Sequence, residues 1–331
     1  MKGNFHVRFG ERGGETRWLK SQKVRSAPTL RTAGFPISVF THIKRKHTSK
    51  ADLERGRLSG DLLTPAQWKF LENHAFTGFD NDANMVKVAI LNMYLHKMEK
   101  ADIRFHNPLT TGIGSPYPGK TFDIVLANPP FSGKIQSESI LEDINLNTRA
   151  TERLFLKWFI DHLAPNGRAG VIVPSGVLFG TDNTTVKLRR MLIEDLTLHA
   201  VITMPSGVFK PYAGVATAIL IFQNKPKTKS VWFYEMTADG FSLSDTRTPI
   251  DENDIPDILE KWQTRAKGQK SFSVSVDEIV QKDFSLMPAI YKDHEFIGTD
   301  HDKPSEIIQD VLSVEQEIEK KLQSLLKKVN K

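Results

Sequence analysis

Residues 122–131 read Phe-Asp-Ile-Val-Leu-Ala-Asn-Pro-Pro-Phe, and this segment gives the clearest indication of the fold class. Its first part, 122–127, has the length and apolar content of a strand buried on both faces. The two prolines that follow fix φ and remove two amide donors. Because ligands of open α/β sheets bind at the carboxyl ends of strands, the residues directly after this strand are the first candidates for a site.

Similar apolar runs, each bounded by Gly, Pro or Asn, recur at residues 169–174, 198–204, 217–223 and 231–235. Between the first two predicted strands, residues 151–163 place their apolar side chains on one helical stripe. Residues 82–98 are apolar on nearly every side, which predicts a largely buried helix. This alternation of strand and helix predicts a doubly wound, Rossmann-like α/β sheet.

The pattern changes after about residue 240, where Pro249, Pro256 and several charges break the rhythm and 271–280 offers one more strand and a turn. Further on, apolar residues recur at helical spacing, and that helix either folds back or meets a partner helix. The sequence therefore predicts a basic segment 1–26, a catalytic domain 27–240, an irregular extension 241–303 and an amphipathic C-terminal helix 304–331.

The chain has no cysteine, which excludes disulfides, thiolate metal sites and cysteine nucleophiles. Its ten histidines show no H-x-x-x-H spacing, so we expect no metal. No stretch approaches the roughly 18 apolar residues of a membrane helix, and the N-terminus lacks the apolar core of a secretory signal. A cytoplasmic protein that does not bind membranes is the expectation.

The net charge of +6 is unevenly placed. Residues 1–70 hold 15 Lys and Arg against 5 Asp and Glu, or +10, so the remainder carries 30 minus 34, or −4. A basic end on a near-neutral body suits contact with a polyanion such as DNA. The alternative is a solvated basic arm.

The Asn-Pro-Pro-Phe segment suggests a specific chemistry. The carboxamide oxygen of Asn128 and the carbonyl of Pro129 can accept both hydrogens of an exocyclic amine, and this aims the nitrogen lone pair at an electrophilic methyl group. Pro129 and Pro130 hold the backbone for this, and Phe131 can stack on a base lifted out of a duplex. Catalysis would then rest on positioning and preorganised electrostatics. The structural alternative is an ordinary turn after a strand.

Asn-Pro-Pro-Phe resembles the hallmark of amino methyltransferases that act on DNA. The wider chain is similar to the modification subunits of type I restriction–modification systems, in residues 122–134, 163–180, 200–222 and 231–254. The resemblance implies S-adenosyl-L-methionine as methyl donor and adenine N6 in double-stranded DNA as acceptor, with catalysis by Asn128, Pro129, Pro130 and Phe131. It also implies a specificity subunit and a restriction subunit as partners, with the C-terminal helix as a docking element for the specificity subunit.

The cofactor half departs from the family pattern. Residues 27–36 line up with the glycine-rich loop, and Gly34 is kept, but Ala27 replaces an acidic residue and Arg31 replaces a glycine.

The next elements match better. The resemblance implies that Asp80, in Gly78-Phe79-Asp80, accepts hydrogen bonds from the ribose hydroxyls, with Asp82 as the alternative. It places Asn107 near the cofactor adenine and includes Asn128 among the cofactor-binding residues.

A second loop could complete the base site. Phe209, Lys210 and Tyr212 lie close together, so an aromatic ring could face the extruded base and the lysine a phosphate. The alternative is that these aromatic residues cover an edge of the core.

Three alternatives remain open. The residues before Pro28 do not resemble the family, which suggests a displaced start and a truncated derivative. The altered loop allows an inactive scaffold that binds only subunits or DNA. Asn-Pro-Pro sites also occur in amino methyltransferases that act on protein glutamine or on RNA.

Overall fold

The computed structural model describes residues 33–110, 121–211, 213–225 and 227–292, the backbone of 4–7, and six residues near the C-terminus. The chain divides into two units, Met1–Ile290 and Tyr291–Lys331. The first unit holds every strand among the described residues.

Eleven strands lie within the described residues: β1 Asn4–Val7, β2 Phe76–Asp80, β3 Asp102–Phe105, β4 Phe122–Ala127, β5 Leu163–Pro174, β6 Thr197–Met204, β7 Thr217–Gln223, β8 Ser230–Glu235, β9 Asp239–Phe241, β10 Pro249–Asn253 and β11 Ser271–Ser275. Nine of them form one sheet in the order β11-β8-β6-β7-β5-β4-β1-β2-β3. Strands β9 and β10 form a separate antiparallel pair.

The main sheet is mixed. The pairs β2–β3, β4–β5 and β6–β8 are parallel. Strand β1 is antiparallel to both β2 and β4, so these two neighbours run in the same direction. Strand β7 is antiparallel to β5 and β6, and β11 to β8. The predicted α/β sheet is thus confirmed. Within it, 217–223 runs antiparallel to both neighbours, a direction that burial on both faces does not record.

Nine helices accompany the strands in the described residues: α1 Gly34–Lys46, α2 Lys50–Glu54, α3 Pro65–Asn73, α4 Ala83–Leu95, α5 Thr151–Asp161, α6 Gly176–Phe179, α7 Asn183–Glu194, α8 Ile255–Trp262 and α9 Val276–Gln281. Local sequence explains several starts. Thr64 and Gln67 form a capping box before α3, with Pro65 at its first position. The Asp82 carboxylate accepts the backbone N–H of Asn84 at 2.8 Å and so caps α4.

Helix α4 is where the burial prediction is wrong. Of its apolar side chains, only Val86, Ala89 and Met93 are buried. Leu91 is 59% exposed and Leu95 71%. The helix packs one face on β2 and β3, and all-round apolarity in the sequence does not tell how many faces neighbouring elements cover.

The segment after residue 240 is more regular than the sequence suggests. It holds α8 and α9, and β11 pairs with β8, so the main sheet continues past the predicted domain end. Arg189, fully buried on α7, binds this segment to α7: its Nε donates a hydrogen bond to the carbonyl of Phe284 at 2.8 Å. Its Nη1 donates to the carbonyls of Val177 and Gly180, at 3.2 and 2.8 Å.

In the second unit, Leu312, Glu315, Ile318, Glu319, Lys321 and Leu322 are helical. The side chains of Leu312, Ile318 and Leu322 are at least half exposed, at 50%, 53% and 56%. The remaining residues of the predicted helix 304–331 lie outside the described residues.

Candidate active site at the carboxyl edge of the sheet

The strand directions bring the predicted site residues to one edge. Strands β2, β3 and β4 run the same way, so their carboxyl ends meet. Asp80 is the last residue of β2, Asn107 follows β3, and Asn128 is the first residue after β4. This is the edge at which open α/β sheets bind ligands.

Asp80 is the most distinctive acid at this edge. Its side chain is 2% exposed, and its Oδ1 accepts the backbone N–H of Asp82 at 2.9 Å. Its Oδ2 is buried and accepts no hydrogen bond from the described residues. Burial raises the pKa of the Asp80 carboxyl to about 6, although the Asp82 N–H opposes this. A buried acceptor without a donor is the feature that a ligand hydroxyl would satisfy.

The two neighbouring candidates differ from Asp80. The Asp82 carboxylate is already engaged as the cap of α4. Asn107 is half-buried, and its Oδ1 accepts the backbone N–H of Leu109 at 3.1 Å. The Asn107 NH₂ group is therefore the part of this side chain that can donate to a ligand.

Of the glycine-rich stretch 27–36, the structure describes only the last part, where α1 begins. Helix α1 begins at Gly34, and the preceding Ala33 is fully buried in the left-handed region with φ 65°. Ala33 packs in one core cluster with Phe40 and Phe76, the first residue of β2. Ala27 and Arg31 lie outside the described residues.

Hydrogen bonds connect the Asn-Pro-Pro-Phe loop to the start of α5. The Thr151 hydroxyl donates to the carbonyls of Gly133 at 3.1 Å and Pro130 at 3.4 Å. The Thr151 backbone N–H also donates to the Gly133 carbonyl, at 3.0 Å. A Cβ on Gly133 would lie 2.7 Å from the Thr151 hydroxyl oxygen, so the close approach requires glycine. The Pro130 carbonyl is thus used within the protein.

Phe131 and Phe209, from different loops, meet at this edge. Their ring centroids are 5.7 Å apart at an interplanar angle of 64°. Both are partly buried against a core cluster that includes Ile172, Met204 and Trp232. The structure therefore brings the predicted stacking residue and the predicted second loop together. Lys210 forms an ion pair with Asp245 at 3.4 Å, and Tyr212 lies outside the described residues.

Sequence reasoning missed the residues at the start of α5. Beside Thr151, Glu152 has a buried Oε2 that accepts no hydrogen bond from the described residues, and burial raises the pKa of its carboxyl. A glutamate in a first helical turn is ordinary in sequence. The sequence offered one indication of this contact, which is Gly133, three residues after Pro130.

The described residues contain neither a candidate metal centre nor a candidate membrane span. Within these ranges, no group of three or more His, Cys, Asp or Glu side chains could hold a metal ion. No helix in the same part of the chain is long and apolar enough to cross a membrane.

Comparison with known proteins fits this geometry. Residues 22–299 match the N-6 DNA methylase family, and the chain belongs to that family. The match extends beyond residue 240 and so includes most of the stretch that the sequence separates from the catalytic domain.

The similar curated proteins are methylase subunits of type I restriction enzymes. The EcoEI subunit of Escherichia coli is 29% identical over 78% of this chain and 51% of its own length. The StySPI subunit of Salmonella potsdam is 30% identical over 80% of this chain and 51% of its own length. The chain spans about half the length of these relatives.

A solved structure shares the fold. The M protein of the type I enzyme EcoKI aligns with a TM-score of 0.61 at 24% identity, over 77% of this chain and 59% of that chain. The EcoKI methylase subunit of Escherichia coli strain K12 is 29% identical in sequence over 80% of this chain and 51% of its own length.

Proposed function

We propose that this chain transfers a methyl group from S-adenosyl-L-methionine to the N6 amine of adenine in double-stranded DNA. The observation that carries the proposal is the position of Asn128-Pro129-Pro130-Phe131 directly after β4, at the edge that also holds Asp80. The type I relatives support a DNA substrate over protein glutamine or RNA.

The cofactor fits the described part of its site. S-adenosyl-L-methionine, when bound, supplies an electrophilic methyl group. The unsatisfied Oδ2 of Asp80 is placed to accept a ribose hydroxyl, and the Asn107 NH₂ group to donate to the cofactor adenine. Gly34 would let the backbone approach the cofactor at the start of α1.

The remaining residues act on the base. The Asn128 Oδ1 and the Pro129 carbonyl accept the two amine hydrogens, which draws the lone pair out of conjugation with the ring. The nitrogen would then attack the methyl carbon as the carbon–sulfur bond of the sulfonium breaks, so that S-adenosyl-L-homocysteine would leave and the amine proton would pass to solvent. The Thr151 contacts keep the loop from shifting, and such positioning is a main source of rate in reactions that need no strong base.

Phe131 and Phe209 are proposed to hold the extruded base. Stacking on both faces requires about 7 Å between the rings, since each contact takes about 3.5 Å. The present edge-to-face pair at 5.7 Å leaves no such gap. One ring must therefore turn or withdraw when the base enters, and Phe209, on the loop after β6, is the one proposed to move.

The partners follow from the relatives. We propose that a specificity subunit selects the DNA sequence, that a restriction subunit joins for cleavage, and that residues 304–331 dock on the specificity subunit. Lys210 is proposed to exchange Asp245 for a DNA phosphate, because this ion pair is surface-exposed and therefore weak.

The test is transfer of labelled methyl groups to DNA by the full chain together with a specificity subunit from a related system. Wild type should label adenine N6. Asn128→Ala should reduce the rate at least about 100-fold, the size expected for loss of one preorganised polar contact in the transition state. Asn73→Ala, a partly buried asparagine at the end of α3 and therefore beside the amino end of β2, serves as the control. A folded wild-type complex that labels no adenine would contradict the proposal.

A further inference from the structure

Thr217 is a buried polar residue that the proposed mechanism does not use. It is the first residue of β7, opposite Pro174 at the end of β5 and Met204 at the end of β6. Because β7 is antiparallel, its first residue lies at the same edge of the sheet as Asn128. Its exposure is 0%, and its hydroxyl forms no hydrogen bond with any described residue.

Folding alone does not explain this hydroxyl. A buried hydroxyl without a partner destabilises the folded state. Valine has nearly the same shape and an equal preference for strands, so it would fill the position without that cost. A polar atom left unsatisfied in a native interior calls for another explanation, and a ligand contact is one.

The Thr217 side chain lies on the same face of the sheet as the aromatic pair. Residues i and i+2 of a strand share a face, so Thr217 lies on the face of Ile219 and Ile221. Both isoleucines pack against the cluster that also receives Phe131 and Phe209.

The register also sets the distance to the catalytic asparagine. Ala127 pairs with Val171 of β5, and Pro174 of β5 pairs with Thr217. Asn128 and Thr217 are therefore two strands and about two residues apart, on the order of 10 Å between Cα atoms. This span suits one base held between their side chains.

We propose that the Thr217 hydroxyl donates a hydrogen bond to a ring nitrogen of the target adenine that flanks the amine, N1 or N7, and so orients the base. This inference rests on the proposed function. With the amine held by Asn128 and Pro129, the hydroxyl supplies the further contact that fixes the ring in its plane. Thr217 is then a substrate-contacting residue that contributes to selection of adenine.

The experiment compares Thr217→Val with Thr217→Ser in the labelling assay of the full chain with its specificity subunit. Thr217→Val should lower kcat/KM at least about tenfold, and Thr217→Ser should stay within about threefold of wild type, since it keeps the hydroxyl. DNA with 1-deazaadenine or 7-deazaadenine at the target removes one ring nitrogen at a time. One of the two should slow wild type to the level of Thr217→Val and leave Thr217→Val unchanged.

Thermal unfolding separates this inference from a structural role and from the proposed function. Thr217→Val should unfold at the same temperature as wild type or higher. A lower Tm for Thr217→Val would show that the hydroxyl serves folding and would overturn the inference, whether or not methyl transfer is seen. Wild-type activity with an equally active Thr217→Val would overturn the inference alone. Absence of labelling by wild type would overturn the proposed function, and with it the role of Thr217.

Discussion

Phe131 and Phe209 are in edge-to-face contact at the candidate site, with 5.7 Å between their ring centroids. Phe131 follows β4 and Phe209 follows β6, so the contact joins two loops that the strand order places at the same edge. If the extruded base binds between the two rings as proposed, they must first separate.

The first prediction concerns these rings. Base–aromatic stacking contributes about 1–3 kcal/mol per base, so Phe131→Ala and Phe209→Ala should each lower kcat/KM for DNA methylation about 5-fold to 150-fold. Steady-state kinetics with varied DNA concentration measures this. Phe70→Ala, on the partly exposed surface of α3, is the control. Unchanged kinetics in both site variants would mean that the base lies elsewhere.

The second prediction concerns Thr151. Thr151→Val removes the donor to the Pro130 and Gly133 carbonyls, and the unfolding free energy should fall by about 1–3 kcal/mol. The rate of methyl transfer should fall further than the affinity for DNA, since the loop loses its position. Thr151→Ser should behave like wild type. Equal loss in the serine variant would point to packing rather than to the hydroxyl.

Gly133→Ala tests the same contact from the other side. The new Cβ would lie 2.7 Å from the Thr151 hydroxyl oxygen, so the loop and α5 must separate. We expect a lower Tm and slower methylation. Gly214→Ala, where a Cβ would meet nothing within 4 Å, is the matched control. If both alanine variants behave alike, the close approach is unimportant.

The third prediction concerns Asp80 and pH. Burial raises its pKa from 3.8 to about 6, so the folded state binds a proton more tightly than the unfolded state. The stability from this proton is complete below pH 3.8 and is lost as the pH rises to about 6, a difference of about 3 kcal/mol at most. Asp80→Asn, which cannot ionise, should therefore match wild type at acid pH and exceed it at pH 7.

Urea denaturation between pH 4.5 and 7.5 measures this difference. Asp195→Asn, which removes an exposed carboxylate, is the control. If Asp80→Asn is less stable than wild type at pH 7, the carboxylate has a stabilising partner in the protein, and its role as a free acceptor for a ligand is wrong.

The fourth prediction concerns Arg189. Its guanidinium is 2% exposed and donates to the backbone carbonyls of Phe284, Val177 and Gly180. Arg189→Met leaves these acceptors without that donor, and the unfolding free energy should fall by about 3 kcal/mol or more. Lysine cannot reproduce the planar fork, so Arg189→Lys should also be destabilised.

Chemical denaturation checks this, with exposed Lys187→Met as the control. Limited proteolysis should show earlier cleavage near residues 283–290 in Arg189→Met. A loss below about 0.5 kcal/mol would contradict the anchoring role.

Much of the fold was predictable because buried strands appear in the sequence as short apolar runs bounded by turn-forming residues. The bounds of 122–127 and 217–223 agree with β4 and β7. Strand β5 begins at Leu163, six residues before the predicted start at 169, because residues 165–167 form its irregular first part. The direction of β7 could not be predicted, since apolar content is the same in either direction. The exposure of Leu91 and Leu95 depends on neighbours that helical periodicity does not record.

The candidate site also contains residues that the sequence indicates and residues that only the three-dimensional structure reveals. Asn128 and Asp80 were predicted as site residues because each lies at the carboxyl end of a strand within a short motif, where open α/β sheets bind ligands. Thr151 and Thr217 carry no such signal. The Thr151 contact across the loop and the unsatisfied buried hydroxyl of Thr217, on which its proposed role rests, are both properties of three-dimensional packing.

The most direct test of the central claim is calorimetric titration of the purified chain with S-adenosyl-L-methionine at pH 7, compared with Asp80→Asn. The account predicts binding by wild type and at least tenfold weaker binding by Asp80→Asn, although that variant should be the more stable protein. Binding would show that the cofactor site persists with Ala27 and Arg31 in its loop. Absence of binding by folded wild type, or equal binding by Asp80→Asn, would contradict the account; the first result would favour a scaffold that binds only subunits or DNA.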